Sequence, residues 1–587
     1  MLRNGYPVKH DKKQSILKEE VFALFPSLKR VLLFSFFTNV LVLAPSGYML
    51  EVYDRVVNSR NHTTLLMLTV LVVFLYLLLE TLEWVRGQVM YEAGSTVDDS
   101  LRDRVFHAMT AARLSNVTQA ASLRPLNDLR TLRDFLSSHA LQSIIDAPFA
   151  LLVLVILFFM DPLLALFAAF GALVQFAIGI ANERRTREPL EAANTNSFRT
   201  QLYAGGLVRN AQVIESMGML GNIHKRWLAR HEEFIEQQAI ASDHAGSNAA
   251  LSKMAQSLVG SLMLGLGCWL ALKGELRGSQ MIVASILVGR VLSPLVQIIG
   301  SWRIVEGARE AFVRLDELLA AFPEPQPAMP LPAPKGALNV EAVVAGPPRS
   351  DLQILKGISF ALPAGGSLAV VGPSASGKTT LARLLVGVWP AVHGKVRLDG
   401  CDVHAWNKEE LGPSVGYLPQ NVELFDGTVA ENISRFGDVD QEKVEAACRL
   451  VGVEQFVQAL PKGYDTAVGE EGAFLSGGER QRIALARAVY GLPRFVVLDE
   501  PNSSLDEAGD SALLHTIRFL KSQGTTVVVM THRTNILSVM DSMLVLLEGR
   551  VRSFGPTREV LASLQQKQAQ PAAPTNGSQP DKPAGGA

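Results

Sequence analysis

From about Val31 to Gly300 the chain alternates long apolar runs with charged stretches; beyond residue 338 the apolar runs shorten to strand length. Six long runs, near 31–50, 64–84, 142–160, 163–182, 253–272 and 280–300, can each cross about 30 Å of hydrocarbon as a helix. The clearest, TLLMLTVLVVFLYLLLETL, meets its first charge at Glu80. Only Met160-Asp161-Pro162 separates the third run from the fourth, which predicts an antiparallel pair whose second helix starts on the proline. The stretches 86–140 and 183–250 keep helical spacing while mixing charge with apolar residues, as in RDRVFHAMTAARL, and so predict helices that continue well past the bilayer. Lys and Arg crowd the leader and these two stretches, whereas 51–63 and 273–279 hold only Arg55, Arg60, Lys273 and Arg277. That asymmetry places both termini inside the cell. Arg290 falls near mid-membrane, either as the lining of a polar conduit or through a displaced boundary or snorkelling toward an interface, and Pro294 predicts a kink in the same helix.

The soluble half opens after AFPEPQPAMPLPAPKG (321–336), whose six prolines predict a semi-rigid linker. The expected organisation is a leader over 1–30, a transmembrane domain over 31–320, a linker over 321–337, a soluble α/β domain over 338–565 and a structureless tail over 566–587. Composition refines this little. The 55 basic and 56 acidic residues nearly cancel, giving no sign of a nucleic-acid partner. Cys268, Cys401 and Cys448 lie far apart without metal-ligand spacing, which excludes a disulfide scaffold. More apolar runs follow the first, so a cleaved signal peptide is not expected.

Chemistry concentrates in three places. SLAVV, then GPSASGKTT, then LARLLVG reads as strand, glycine loop and helix. In such a loop, here Gly372, Pro373, Ser374, Ala375, Ser376, Gly377, Lys378, Thr379 and Thr380, backbone N–H groups wrap the phosphates of a nucleotide and the helix dipole assists. Lys378 is placed to neutralise phosphate oxygens, and the Thr379 hydroxyl to ligate Mg²⁺. FVVLDEP (495–501) ends a buried strand on two carboxylates: Asp499 faces Mg²⁺, and Glu500 polarises the attacking water. TTVVVMTH delivers His532 toward the γ-phosphate from a third strand. LSGGERQR (475–482) offers a second phosphate seat, in which Ser476, Gly477, Gly478 and Glu479 open a helix.

The order GPSASGKTT, YLPQ, LSGGERQR, FVVLDEP, SSLD, TH resembles the ATPase domain of ABC transporters over roughly 338–565. In that family two ATPase domains sit head to tail, and each signature loop covers the nucleotide on its partner's P-loop. The resemblance therefore implies ATP and Mg²⁺, a homodimer, Gln420 sensing metal and lytic water, and Ser504 to Asp506 at the dimer interface. TAVGEEG (466–472) resembles the loop that links an exporter's ATPase to its membrane helices. YMLEVYDRVVNSRNHTTL, DAPF and RNAQVIESMGM resemble the PrtD-like branch of type I secretion ATPases. Members of that branch export unfolded proteins with a C-terminal signal across the bacterial inner membrane, together with a periplasmic adaptor and an outer-membrane channel. No peptidase domain precedes the first span, so leader cleavage is not expected. Two departures stand out: Glu479 replaces a more usual Gln, and VVAGPPRSD (343–351) has no ring where exporters stack adenine, leaving Pro347 or Pro348.

The sequence thus predicts an ATP-driven protein exporter. A lipid or small-molecule exporter is the alternative that shares the same ATPase half. A soluble ATPase acting on DNA is opposed by the six spans, and a membrane-anchored regulator by the intact Glu500.

Overall fold

The structure is a computed structural model of the chain and describes residues 17–18, 25–115, 124–324, 329–469 and 472–569. It divides into two compact units, with the break between Pro325 and Gln326.

The first unit is helical. Six helices are long and apolar enough to cross a membrane: Pro26–Ser59, His62–Leu114, His139–Met160, Pro162–Arg209, Leu220–Leu272 and Gly278–Gly300. The first is not one rod. It runs Phe25–Leu41, breaks, resumes over Ala44–Glu51, passes through a π turn, Val52–Val56, and ends on Val57–Ser59. The break falls just ahead of Pro45, which has no N–H to give to the preceding turn. At Asp161 the predicted tight turn is capped, the side chain accepting from Leu163 N at 2.7 Å before Pro162 opens the next helix. His62–Leu114 and Leu220–Leu272 hold 53 residues each, about 80 Å of helix, so more than half of each projects beyond the hydrocarbon. Leu66, Val70, Phe74 and Leu77 form an exposed apolar stripe at helical spacing, a surface suited to lipid.

Close approach and polar pairs hold the bundle together. A side chain at Gly171 would meet Val259 at 2.8 Å and one at Gly267 would meet Met281 at 3.0 Å, so glycine lets these helices touch. Around them Leu164, Ala168, Met263, Leu287, Val288 and Val291 are buried together. Toward the projecting ends the seam turns polar: Gln175 and Ser252 exchange two hydrogen bonds, and Asn248 donates to Asn182 at 3.1 Å. Arg86 is buried against Asp146 at 3.0 Å and also donates to Ser35, tying three segments together. Arg290 stands exposed at mid-helix in Gly278–Gly300, away from the buried Val283, Leu287, Val288 and Val291. The helix runs on through Pro294 without a break.

The second unit has two sheets. β1 (Leu338–Ala345), β2 (Leu355–Leu362), β4 (His393–Leu398) and β5 (Cys401–Asp402) form an antiparallel sheet in the order β2-β1-β4-β5. β3 (Ser367–Val371), β6 (Val415–Leu418), β7 (Phe495–Asp499), β8 (Thr526–Met530), β9 (Ser542–Leu547) and β10 (Arg550–Pro556) form the other, in the order β10-β9-β3-β8-β7-β6. All pairs in it are parallel except β10 with β9. β7 and β8 are buried at every residue, as expected of apolar runs covered on both faces. β3, β8, β7 and β6 are neighbours running the same way, so the segments leaving them meet at one edge.

Candidate active site

That edge gathers the P-loop, Gln420, Asp499, Glu500 and His532. β3 hands over to the loop at Gly372, where a Cβ would meet Leu546 O at 2.2 Å; the loop closes at Gly377 with φ +104 and the helix Lys378–Leu385 begins. Lys378 is 5% exposed and donates to the carbonyls of Gly372 and Pro373 at 2.9 and 3.2 Å. Burial lowers its pKa, while Glu500 and Asp499 act the other way. The Ser376 hydroxyl is buried without a partner, and the loop as a whole is a cradle for an anion.

Asp499 is 1% exposed, and neither carboxylate oxygen has a hydrogen-bond partner. Burial raises its pKa, helped by the charge of Glu500 and opposed by Thr379, Arg383 and Lys378. An orphaned buried carboxylate is costly unless a cation joins it. Beside it, the Thr379 hydroxyl donates to Gln420 Oε1 at 3.4 Å. A hydroxyl, an amide oxygen and an unpaired carboxylate make an all-oxygen set that fits Mg²⁺.

Glu500 follows with φ +50, a left-handed conformation strained for a non-glycine residue. Its N–H donates to Met530 O at 3.0 Å. One carboxylate oxygen accepts from Gln420 Nε2 at 3.0 Å, and the other lies 2.9 Å from His532 Nε2. The carboxylate is thus held between residues from two flanking strands.

The second seat lies on another helix. Ser476 caps Gly477–Val489, accepting from Glu479 N, while Glu479 Oε2 accepts from Ser476 N at 2.7 Å. Glu479 is therefore engaged in its own helix cap, a role its placement in the first turn did not specify. Gly478 must lack a side chain, since a Cβ would meet Ser504 O at 2.8 Å; at Gly477 nothing lies nearer than 3.8 Å. Ser476 and Gly477 face solvent, and among the described residues no hydrogen bond joins them to the P-loop.

Sequence reasoning missed Gln481. It is 4% exposed and its Nε2 donates to the carbonyls of Glu500 and Pro501 and to Ser503 Oγ, at 3.2, 2.6 and 3.2 Å. Its Oε1 accepts from Ser504 N at 2.8 Å. One side chain thus couples the LSGGERQR helix to the loop after β7. The only available signal was its place in the motif, five residues past Ser476 and so more than a turn in.

A nucleotide cradle, a two-carboxylate strand end and a separate Ser-Gly-Gly seat behind a membrane-spanning bundle define an ABC transporter. The chain matches the profile "ABC transporter transmembrane region" over residues 30–295 and "ABC transporter" over 355–503. It is 39% identical over 527 residues, 90% of each chain, to the "Type I secretion system ATP-binding protein PrsD" of Rhizobium meliloti (strain 1021). By that match it belongs to the type I secretion ATP-binding proteins of the ABC transporter family. It is also 27% identical to the "Leukotoxin export ATP-binding protein LtxB" of Aggregatibacter actinomycetemcomitans, over 90% of this chain and 76% of that one. A solved bacterial Atm1-family ABC exporter with ATP bound superposes with a TM-score of 0.80 at 22% identity, covering 94% of this chain and all of that one; it shares the fold.

Proposed function

We propose that this chain is the ATP-hydrolysing inner-membrane exporter of a type I secretion system, and that it moves an unfolded protein with a C-terminal signal out of the cell. The similarity to PrsD over nine-tenths of both chains carries this reading. The names of the relatives favour a protein cargo over lipids or small hydrophobic molecules. On this reading the chain works as a homodimer with a periplasmic adaptor and an outer-membrane channel, both termini and the ATPase unit are cytoplasmic, and Arg290 lines the export path.

The P-loop amides take the triphosphate, and Lys378 turns from its two carbonyls to phosphate oxygens. Thr379, Asp499 and Gln420 are the residues that would hold Mg²⁺, and the ion would supply positive charge opposite the phosphates. Glu500 accepts a proton from the attacking water; Gln420 and His532 hold its carboxylate in line. Ser476, Gly477 and Gly478 of one copy close over the nucleotide on the other. The chemistry is positioning and electrostatics, without a covalent intermediate.

The test compares proteins released by cells with and without the gene, complemented by wild type or Glu500→Gln. Wild type restores one or more missing proteins, whereas Glu500→Gln binds ATP, turns over at least a hundredfold more slowly and restores none. An unchanged set of released proteins alongside altered lipid or drug export would reject the protein-cargo reading.

A further inference from the structure

Phe474 stands out among the aromatic side chains of the second unit. At 78% exposure it is the most open Phe, Tyr or Trp among its described residues. The next most exposed, Phe425, packs edge-on against Phe436 and lies under the Arg487 guanidinium. Among the described residues Phe474 has no such ring or cation. One edge of it rests on Gly469, at φ +75, where a Cβ would meet ring carbons at 2.8 and 2.9 Å. The backbone thus props the ring by its edge and leaves its faces to solvent.

Its position gives those faces a use. Phe474 precedes Ser476 by two residues, about 7 Å of extended chain at most. The ring therefore stands beside any phosphate seated on Ser476 and Gly477. The P-loop side offers no ring of its own. Ile354 and Leu355 pack against Gly377 at 3.2 and 2.7 Å from its Cβ position, and the flank from Val343 to Leu355 reads VVAGPPRSDLQIL. A purine base on that wall meets no aromatic ring, only proline, aliphatic carbon and the polar side chains of Arg349 to Gln353, although every base has a π face that gains by stacking on a ring.

We propose that Phe474 stacks on the purine base of the ATP held by the P-loop of a second copy of this chain. The ring is supplied across the dimer, beside the signature seat that closes over the same nucleotide. This rests on the head-to-tail dimer proposed above. Stacking favours purines over the smaller pyrimidine rings, so the proposal predicts a base preference as well as an affinity.

The full-length chain, purified in lipid nanodiscs, is assayed with ATP and with CTP. Phe474→Leu, which keeps the apolar bulk and removes the ring, raises KM for ATP about tenfold and lowers the ATP-over-CTP preference by a similar factor. Phe474→Trp restores both, and inhibition by inorganic tripolyphosphate, which has no base, is the same in all three. In mixed dimers the loss follows the opposite chain. Wild type paired with a Lys378→Ala/Phe474→Leu chain loses the base preference in nucleotide binding, because its one working P-loop faces the altered loop. A Lys378→Ala chain paired with a Phe474→Leu chain keeps it. An unchanged ATP-to-CTP ratio in Phe474→Leu overturns the proposal, as does an equal loss with both nucleotides, which would mark Phe474 as a contact to the membrane helices. Ser476→Arg separates the two readings: if it retains full turnover, the dimer reading fails; if it abolishes turnover while Phe474→Leu changes no ratio, only the stacking fails.

Discussion

The backbone of Glu500 is fixed by residues outside the P-loop. Its left-handed backbone costs on the order of 1–3 kcal/mol and persists only where the surroundings over-determine it. Met530 O takes its N–H, and Gln481 and the Ser503 N–H share its carbonyl. Gln481→Leu keeps the volume but leaves Pro501 O buried without its partner and Ser504 N without an acceptor, a loss of about 1–3 kcal/mol that a denaturation midpoint would record. Because Gln481 makes no hydrogen bond to the P-loop, kcat should fall tenfold or more while KM for ATP stays within about twofold; equal changes in both would place its effect elsewhere. The loop after β3 and the carboxylates ending β7 were legible because glycine loops and strand-end carboxylates are local patterns. Gln481 was not, because its role appears only once its helix has docked beside the loop after β7.

Among the elements, the seam between Pro162–Arg209 and Leu220–Leu272 shows the same division. Both helices were legible as apolar runs continued by helical spacing. The rungs Gln175/Ser252 and Asn182/Asn248 were not, since ANERRTRE reads as a charged solvent face until the neighbouring helix covers Asn182. Likewise nothing local pairs Arg86 with Asp146, 60 residues away. A buried amide finds its partner in one register only, so the rungs act against sliding of the two helices. Asn182 already has one amide nitrogen without a partner, and Asn248→Ala removes the donor to its oxygen as well. The expected cost is about 0.6–2 kcal/mol. Replacing both with leucine should recover most of it, because an apolar pair leaves nothing unsatisfied. Thermal unfolding of the two single variants and the double variant in detergent gives the coupling; strict additivity would show that the rung fixes nothing.

The whole molecule carries two candidate phosphate seats, and among the described residues of one chain no hydrogen bond joins them. Gly477 makes the point sterically. Gly478 is needed by its own chain because Ser504 O crowds it, yet a methyl at Gly477 meets nothing of that chain closer than 3.8 Å. A glycine exposed at a helix N-terminus with that much room is shaped for something outside the chain. A two-fold pair satisfies this with one contact made twice, the seat of each copy meeting the P-loop of the other. The two sites then share one closing surface, so disabling one Glu500 is felt at both. Wild-type and Glu500→Gln chains mixed equally before reconstitution should form wild-type pairs in about one quarter of dimers, by random assortment about a two-fold axis. If closure and hydrolysis at both sites are needed in each cycle, turnover drops to about that quarter rather than to the half expected of independent sites. A value near one half, with cross-linking showing the mixed pairs present, would mean that each P-loop completes its chemistry without regard to its twin. The second seat would then need another explanation.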